Sequence, residues 1–155
     1  MKKISLLGST GSIGVNTLDV VERNPESFQV LAMSAGSNVD LFAEQVRKFK
    51  PKVASLFDTK KIATLKERVA DLDVEIIPGE EGSIAVATLS EADVVVSGVV
   101  GSAGLVPAME ALRAGKNLAL ANKETLVIAG ELVLKEAKKT NSQIIPIDSE
   151  HSAIF

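Results

Sequence analysis

Gly8, Gly11 and Gly14 recur at steps of three near the start of the chain, between an apolar run and a helical pattern. The run over residues 4–7 predicts a buried strand, and the apolar spacing from Val15 onward predicts a helix. In such a turn one glycine permits the sharp bend, another permits close approach of backbone to a phosphate, and a third permits tight packing of helix on strand. The first N–H groups of the helix would attract a pyrophosphate.

The hydroxyls of Thr10 and Ser12 would add hydrogen-bond donors beside those N–H groups. The spacing G-x-x-G-x-x-G differs from the commoner G-x-G-x-x-G, but its place between a strand and a helix predicts a dinucleotide site. The alternative is a glycine-rich turn that binds nothing.

The loop after the second predicted strand, residues 34–38, contains no carboxylate. In NAD-binding versions of such a fold an acidic residue near this point binds the ribose 2′-hydroxyl. Because a carboxylate would repel a 2′-phosphate, its absence favours NADP. Ser37 and Asn38 could donate to that phosphate, and Lys60 or Lys61 after the third strand could supply positive charge. The alternative is that Ser37 and Asn38 form only a loop and a helix cap.

Asn122, Lys123 and Glu124 follow the sixth predicted strand. Ligands of open α/β sheets bind outside the carboxyl ends of the strands. Lys123 could hold a substrate oxygen or phosphate there, and Glu124 could accept a hydrogen bond from a ribose hydroxyl. The alternative is a helix start in which Asn122 is the N-cap and Glu124 lies near the positive end of the helix dipole.

Asp148 and Glu150 follow the last predicted strand, and in an extended chain residues two apart face the same way. Two carboxylates suit Mg²⁺ or Mn²⁺, although further ligands must come from substrate, water or other residues. Ser149 could reach substrate from a loop, and His151 is the only histidine. The alternative is a pair of carboxylates on a solvated loop.

Seven apolar runs alternate with helical patterns along the chain, and these runs lie at residues 4–7, 28–33, 53–57, 74–77, 93–97, 117–120 and 143–147. They are apolar throughout, as strands buried on both faces are. We therefore predict an α/β fold, a doubly wound, mostly parallel sheet of about seven strands with helices on both faces (Rossmann-like). Residues 78–82 are predicted to form a loop before a short helix that ends near Ala87.

The composition excludes several function classes. The 155 residues are 46% apolar with a net charge of −3 and contain no cysteine, tryptophan or tyrosine. The negative net charge argues against nucleic acid as the main partner. With only five phenylalanines beside the missing Trp and Tyr, aromatic platforms for stacking bases are absent. Without cysteine, thiolate chemistry is impossible. No apolar run reaches the roughly 18 residues of a membrane span. Because the first strand begins at once, with no leader pattern, we predict a cytoplasmic protein.

Taken together, the stretches 8–14, 120–127 and 146–155 resemble the 1-deoxy-D-xylulose 5-phosphate reductoisomerase family, in order and spacing. The resemblance covers the whole chain but only the N-terminal part of the family's longer chains. It implies an enzyme of non-mevalonate isoprenoid biosynthesis that depends on NADPH and a divalent metal (Mg²⁺, Mn²⁺ or Co²⁺). Such an enzyme, a homodimer at full length, rearranges and reduces 1-deoxy-D-xylulose 5-phosphate to 2-C-methyl-D-erythritol 4-phosphate.

The resemblance also implies roles for individual residues. Those that would contact NADPH are Thr10, Gly11, Ser12, Ile13, Gly36, Ser37, Asn38, Asn122 and Glu124. Lys123 and Ser149 would contact the phosphosugar substrate, and Asp148 and Glu150 would bind the metal. Ser37 departs from the pattern, because many members carry a basic residue there.

We therefore expect residues 1–150 to be an NADPH-binding domain and residues 151–155 to begin a catalytic domain absent from this chain. The third metal carboxylate, the active-site loop and the substrate-phosphate residues of the family would lie beyond Phe155. The chain is thus expected to bind NADPH without turning over substrate alone. The alternatives are another NAD(P)-dependent oxidoreductase of Rossmann fold and a non-catalytic nucleotide-sensing module.

Overall fold

A computed structural model describes residues 1–121 and 123–147 of the chain. The strands in this part are β1 (Lys2–Leu7), β2 (Phe28–Ala35), β3 (Val53–Leu56), β4 (Glu75–Pro78), β5 (Val94–Ser97), β6 (Asn117–Leu120) and β7 (Ile144–Pro146). The α-helices are α1 (Ser12–Arg23), α2 (Val39–Phe49), α3 (Ile62–Arg68), α4 (Gly79–Ala87), α5 (Leu105–Arg113) and α6 (Lys123–Thr140). Single turns of 3₁₀ helix, Thr59–Lys61 and Ser102–Gly104, precede α3 and α5.

The strands form one sheet in the order β4-β3-β2-β1-β5-β6-β7, and every neighbouring pair is parallel. The chain moves outward from β1 to β4, then returns to the other side of β1 as β5. Connections that leave the carboxyl ends of β1 and β5 therefore diverge in opposite directions. Such a switch point is where doubly wound sheets bind ligands.

Two apolar cores cover the two faces of the sheet. On one face, Leu18 of α1, Phe42 of α2 and Leu65 of α3 pack in the same buried cluster as Leu6 of β1. The other cluster contains buried residues of α4, α5 and α6 together with Leu7 of β1. Successive residues of β1 thus point to opposite cores, as the period of a strand requires. The predicted doubly wound parallel sheet with helices on both faces is confirmed.

The loop predicted over residues 78–82 is wrong, because α4 already begins at Gly79. Glu80 and Glu81 lie in its first turn, where carboxylates interact favourably with the helix dipole. Gly82, read as a loop residue from sequence, is instead a buried helical residue. A Cβ atom there would collide with the carbonyl oxygen of Ile77 and with Ser55 Oγ.

Gly82→Ala is expected to lower the free energy of unfolding by about 1–2 kcal/mol, because overpacking against backbone outweighs the helix propensity that alanine gains. Gly130→Ala is the matched control, since it lies in α6 and a Cβ there meets nothing within 4 Å. Urea unfolding of both variants and the parent chain measures the difference. An equal stability for the two variants would contradict the packing described for α4.

Within the described ranges 1–121 and 123–147, no helix combines the length and the apolar character needed to cross a membrane.

Candidate dinucleotide site

The turn after β1 is held by hydrogen bonds to the neighbouring strand and within itself. The N–H groups of Gly8 and Ser9 donate to the carbonyl oxygen of Ser34 at the end of β2, at 3.0 and 2.8 Å. The N–H of Gly11 donates back to the Gly8 carbonyl at 3.1 Å. Gly8 has φ +80°, a backbone conformation that side-chain-bearing residues rarely adopt. The first glycine is therefore required by the turn itself.

The third glycine is required by packing between α1 and this turn. Gly14 is buried, and a Cβ on it would collide with the Gly8 carbonyl oxygen and lie 2.5 Å from Ser9 Cα. On the other side, Gln45 of α2 donates from Nε2 to the Ser9 carbonyl at 2.9 Å, in a buried setting. Two helices thus fix the turn in place.

Sequence reasoning missed Gln45. Its signal was available, because Gln45 lies between Phe42 and Val46 on the buried face of α2, where a polar side chain needs a partner.

The start of α1 is built to receive an anion. Gly11 is the N-cap residue, and no side chain caps the helix there. The first N–H groups of a helix have no acceptor inside the helix, and they carry the positive end of its dipole. Gly11 and Ser12 are exposed and Ile13 is half-buried, so a ligand can reach these groups.

A cleft of about 210 Å³ opens at the switch point, and we call it the switch-point cleft. Its walls are Gly11, Ser12 and Ile13 after β1, Gly98, Val99 and Val100 after β5, and Ala121, Lys123 and Glu124 after β6. Sites for whole drug-sized ligands usually enclose 300–1,000 Å³. This cleft would therefore hold one part of a dinucleotide rather than all of it.

The predicted residues after β2 stand at the same edge of the sheet. Gly36, Ser37 and Asn38 are all exposed. Asn38 caps α2, because its Oδ1 accepts from the Leu41 N–H at 3.3 Å, so the helix-cap interpretation of this residue holds. Its side-chain amide nitrogen can still donate to a ligand. Lys61 reaches this loop through a hydrogen bond from Nζ to the Ser37 carbonyl at 2.8 Å.

The structure therefore brings most of the predicted site residues to one edge of the sheet. Thr10 is in the turn after β1, and Lys123 and Glu124 begin α6 beside the cleft. Asn122, Asp148, Ser149 and Glu150 lie outside the described residues. Among residues 1–121 and 123–147, no group of three or more His, Cys, Asp or Glu side chains could hold a metal ion.

A larger groove of about 300 Å³ runs between α1 and α2, from Val15 and Leu41 near the starts of the helices to Glu22 and Phe49 near their ends. Its lining includes the carboxylates Asp19, Glu22 and Glu44 with the single cation Lys48. The net negative charge would repel a dinucleotide. This groove is larger than the switch-point cleft, but its charge disfavours a dinucleotide, so the switch-point cleft is the stronger candidate for the dinucleotide site.

A sequence profile and two known proteins that resemble this chain carry the same name. The sequence profile described as 1-deoxy-D-xylulose 5-phosphate reductoisomerase matches residues 4–130. The chloroplastic 1-deoxy-D-xylulose 5-phosphate reductoisomerase of Mentha piperita is 56% identical over 99% of this chain, which covers 33% of that protein. The enzyme of the same name from Desulfitobacterium hafniense is 52% identical over the whole chain, which covers 41% of it.

Two solved structures are close matches as well. The Zymomonas mobilis reductoisomerase in complex with NADPH is 38% identical with a TM-score of 0.92, and 97% of this chain covers 39% of it. A DOX-P reductoisomerase in complex with NADPH, fosmidomycin and magnesium is 41% identical with a TM-score of 0.95, and 99% of this chain covers 38% of it. The chain thus spans about two fifths or less of these relatives.

Proposed function

Because the chain belongs to the 1-deoxy-D-xylulose 5-phosphate reductoisomerase family, we propose that it binds NADPH at the switch-point cleft as the cofactor-binding part of such an enzyme. The whole enzyme would convert 1-deoxy-D-xylulose 5-phosphate to 2-C-methyl-D-erythritol 4-phosphate. Residues 1–150 form the cofactor domain in this proposal, and residues 151–155 begin the next domain.

Gly11 is the observation that carries the proposal. Its φ of −78° and ψ of 170° are extended backbone that any residue adopts. A Cβ on Gly11 would meet its nearest neighbour, the Gly8 carbonyl oxygen, at 3.5 Å, an ordinary contact. Neither backbone strain nor packing therefore requires glycine here. A glycine here is instead explained by a ligand that approaches the α1 N–H groups closely, and a pyrophosphate is the ligand that such a helix start favours.

The remaining site residues take their roles from position and chemistry. In the proposal, the hydroxyls of Thr10 and Ser12 donate to the pyrophosphate beside the α1 N–H groups. Glu124 contacts NADPH at the β6 side of the cleft, and Asn122 is a further NADPH contact in the proposal. Lys123 holds the negatively charged substrate through its ammonium group, which is a compact point charge suited to phosphate.

Asp148 and Glu150 would hold the metal, with Ser149 on the substrate. Carboxylate oxygens are the ligands that Mg²⁺ and Mn²⁺ prefer, so the donor set fits the magnesium carried by the solved relative. A bound divalent ion would polarise substrate oxygens as a Lewis acid.

Isothermal titration calorimetry of the chain with NADPH and with NADH tests the proposal. We expect NADPH to bind and to bind more tightly than NADH, because no carboxylate follows β2 to prefer a ribose 2′-hydroxyl. A chain that binds neither dinucleotide contradicts the proposed function.

A second expected result is that the 155-residue chain does not oxidise NADPH in the presence of 1-deoxy-D-xylulose 5-phosphate and Mg²⁺. The reason is that the chain spans only 33–41% of its relatives' length. Absorbance at the nicotinamide band follows the reaction. Steady turnover that scales with chain concentration would contradict the assignment of this chain as the cofactor part alone.

The full-length enzyme is proposed to be a homodimer and, where no plastid is involved, cytoplasmic. The plant relative is named as chloroplastic.

A further inference from the structure

We infer that Lys61 is the residue that recognises the 2′-phosphate of NADPH and so sets the preference for NADPH over NADH. The inference rests on the proposed function and concerns one end of the same ligand site. Ser37 and Asn38 are neutral, so the loop after β2 carries no positive charge of its own. A 2′-phosphate is dianionic or nearly so, and an ammonium group stabilises it far better than a hydroxyl does.

Lys61 is fixed at this loop although it belongs to the 3₁₀ turn after β3. Its Nζ donates to the Ser37 carbonyl at 2.8 Å. Two backbone hydrogen bonds also join the end of β3 to the end of β2. The Phe57 N–H donates to the Ala35 carbonyl and the Asp58 N–H donates to the Gly36 carbonyl, both at 2.9 Å. The ends of β2 and β3 therefore form one platform with the ammonium group at its rim.

The ammonium group retains donors for a ligand. A lysine ammonium has three N–H bonds, and the Ser37 carbonyl takes one of them. The Asp58 carboxylate lies 4.0 Å from Nζ, while its Oδ1 accepts the Lys60 N–H at 3.2 Å. The side chain of Lys61 is 45% exposed, so a phosphate can approach it from solvent.

Open space beside the loop accommodates the adenosine end. A Cβ on Gly36 would meet nothing within 4 Å, and Gly36, Ser37 and Asn38 are exposed. The hydroxyl of Ser37 and the amide nitrogen of Asn38 can donate to the same phosphate that Lys61 attracts. Lys61, in the turn after β3, thus supplies the positive charge that the neutral Ser37 after β2 does not provide.

A purely structural role for Lys61 makes a different prediction. If its hydrogen bond to Ser37 served only to hold the loop, its removal would disturb the binding of every dinucleotide that uses the loop. Charge recognition of the 2′-phosphate affects NADPH alone, because NADH carries a hydroxyl at that position.

The test compares Lys61→Met with Lys60→Met and with Lys61→Arg. Among the described residues the side chain of Lys60 makes no hydrogen bond or ion pair with the loop, and Lys61→Arg keeps the charge. Calorimetric titration of the parent chain and the three variants with NADPH and NADH gives four pairs of dissociation constants. For Lys61→Met we expect the affinity for NADPH to fall about tenfold, which corresponds to the loss of one charge-assisted hydrogen bond. The affinity for NADH should be unchanged. Lys60→Met should match the parent chain, and Lys61→Arg should retain most of the preference.

Salt provides a second arm of the test. Because the ammonium group is partly exposed, salt screens its attraction for the phosphate. The difference in NADPH affinity between the parent chain and Lys61→Met should therefore shrink as ionic strength rises. Equal weakening of NADPH and NADH by Lys61→Met, or no change in either, overturns the inference and leaves the proposed function standing. A parent chain that binds neither dinucleotide overturns both.

Discussion

Gly14→Ala is expected to lower the free energy of unfolding by about 2 kcal/mol, the larger of our two stability effects. The three atoms nearest to a Cβ on residue 14 are backbone atoms of Gly8 and Ser9, so the clash cannot be relieved by rotation of a side chain. Overpacking of this kind costs about 3 kcal/mol, and the better helix propensity of alanine returns about 1 kcal/mol. For a chain of this size, the midpoint of thermal unfolding should fall by about 4–8 °C.

Gly11→Ala is the matched control for stability. It adds the same methyl group to the same turn, three residues earlier, where the nearest atom is 3.5 Å away. Its unfolding midpoint in urea should equal that of the parent chain. A Gly14→Ala chain as stable as the Gly11→Ala chain would show that α1 does not pack on the turn as described.

Gly11→Val is expected to weaken NADPH binding about a hundredfold while leaving the fold intact. The backbone at residue 11 is ordinary for any residue, so the fold tolerates the change. A branched side chain at the helix N-cap would occupy the space through which a pyrophosphate reaches the N–H groups of α1. Loss of two hydrogen bonds to a charged group, each worth about 1.5 kcal/mol, accounts for that factor.

The control for this prediction is Gly130→Ala, which lies in α6 away from the switch-point cleft. Circular dichroism and urea unfolding establish that both variants are folded, and calorimetry gives their affinities for NADPH. A folded Gly11→Val chain with parental affinity would contradict the assignment of the pyrophosphate to the α1 start.

The two glycine predictions show what local sequence can establish. Gly8, Gly11 and Gly14 were recognisable from spacing because strand, turn and helix are consecutive in the chain. The parallel sheet was equally accessible, since strands buried on both faces are apolar throughout. Their position after the sixth strand suggested ligand roles for Lys123 and Glu124, and their place beside the cleft agrees with a ligand site at the carboxyl ends of the strands.

What the sequence could not establish depends on contacts between distant residues. Gln45 supports a carbonyl 36 residues earlier, and Lys61 reaches a carbonyl 24 residues earlier. Gly82 resembled a loop glycine because the atoms that exclude a side chain belong to β3 and β4. The non-helical backbone of Ala129, φ −141°, interrupts α6 directly before Gly130, and no proline marks the break.

The most direct test of the central claim is a titration of the ¹⁵N-labelled chain with NADPH, followed by amide chemical shifts. Our account predicts the largest changes at Ser12 and Ile13, with further changes at Gly98 and Ser37, all at the carboxyl edge of the sheet. Asp19 and Lys48, in the groove between α1 and α2, should change little. Largest changes in that groove, or no changes at saturating NADPH, would contradict a dinucleotide site at the switch point between β1 and β5.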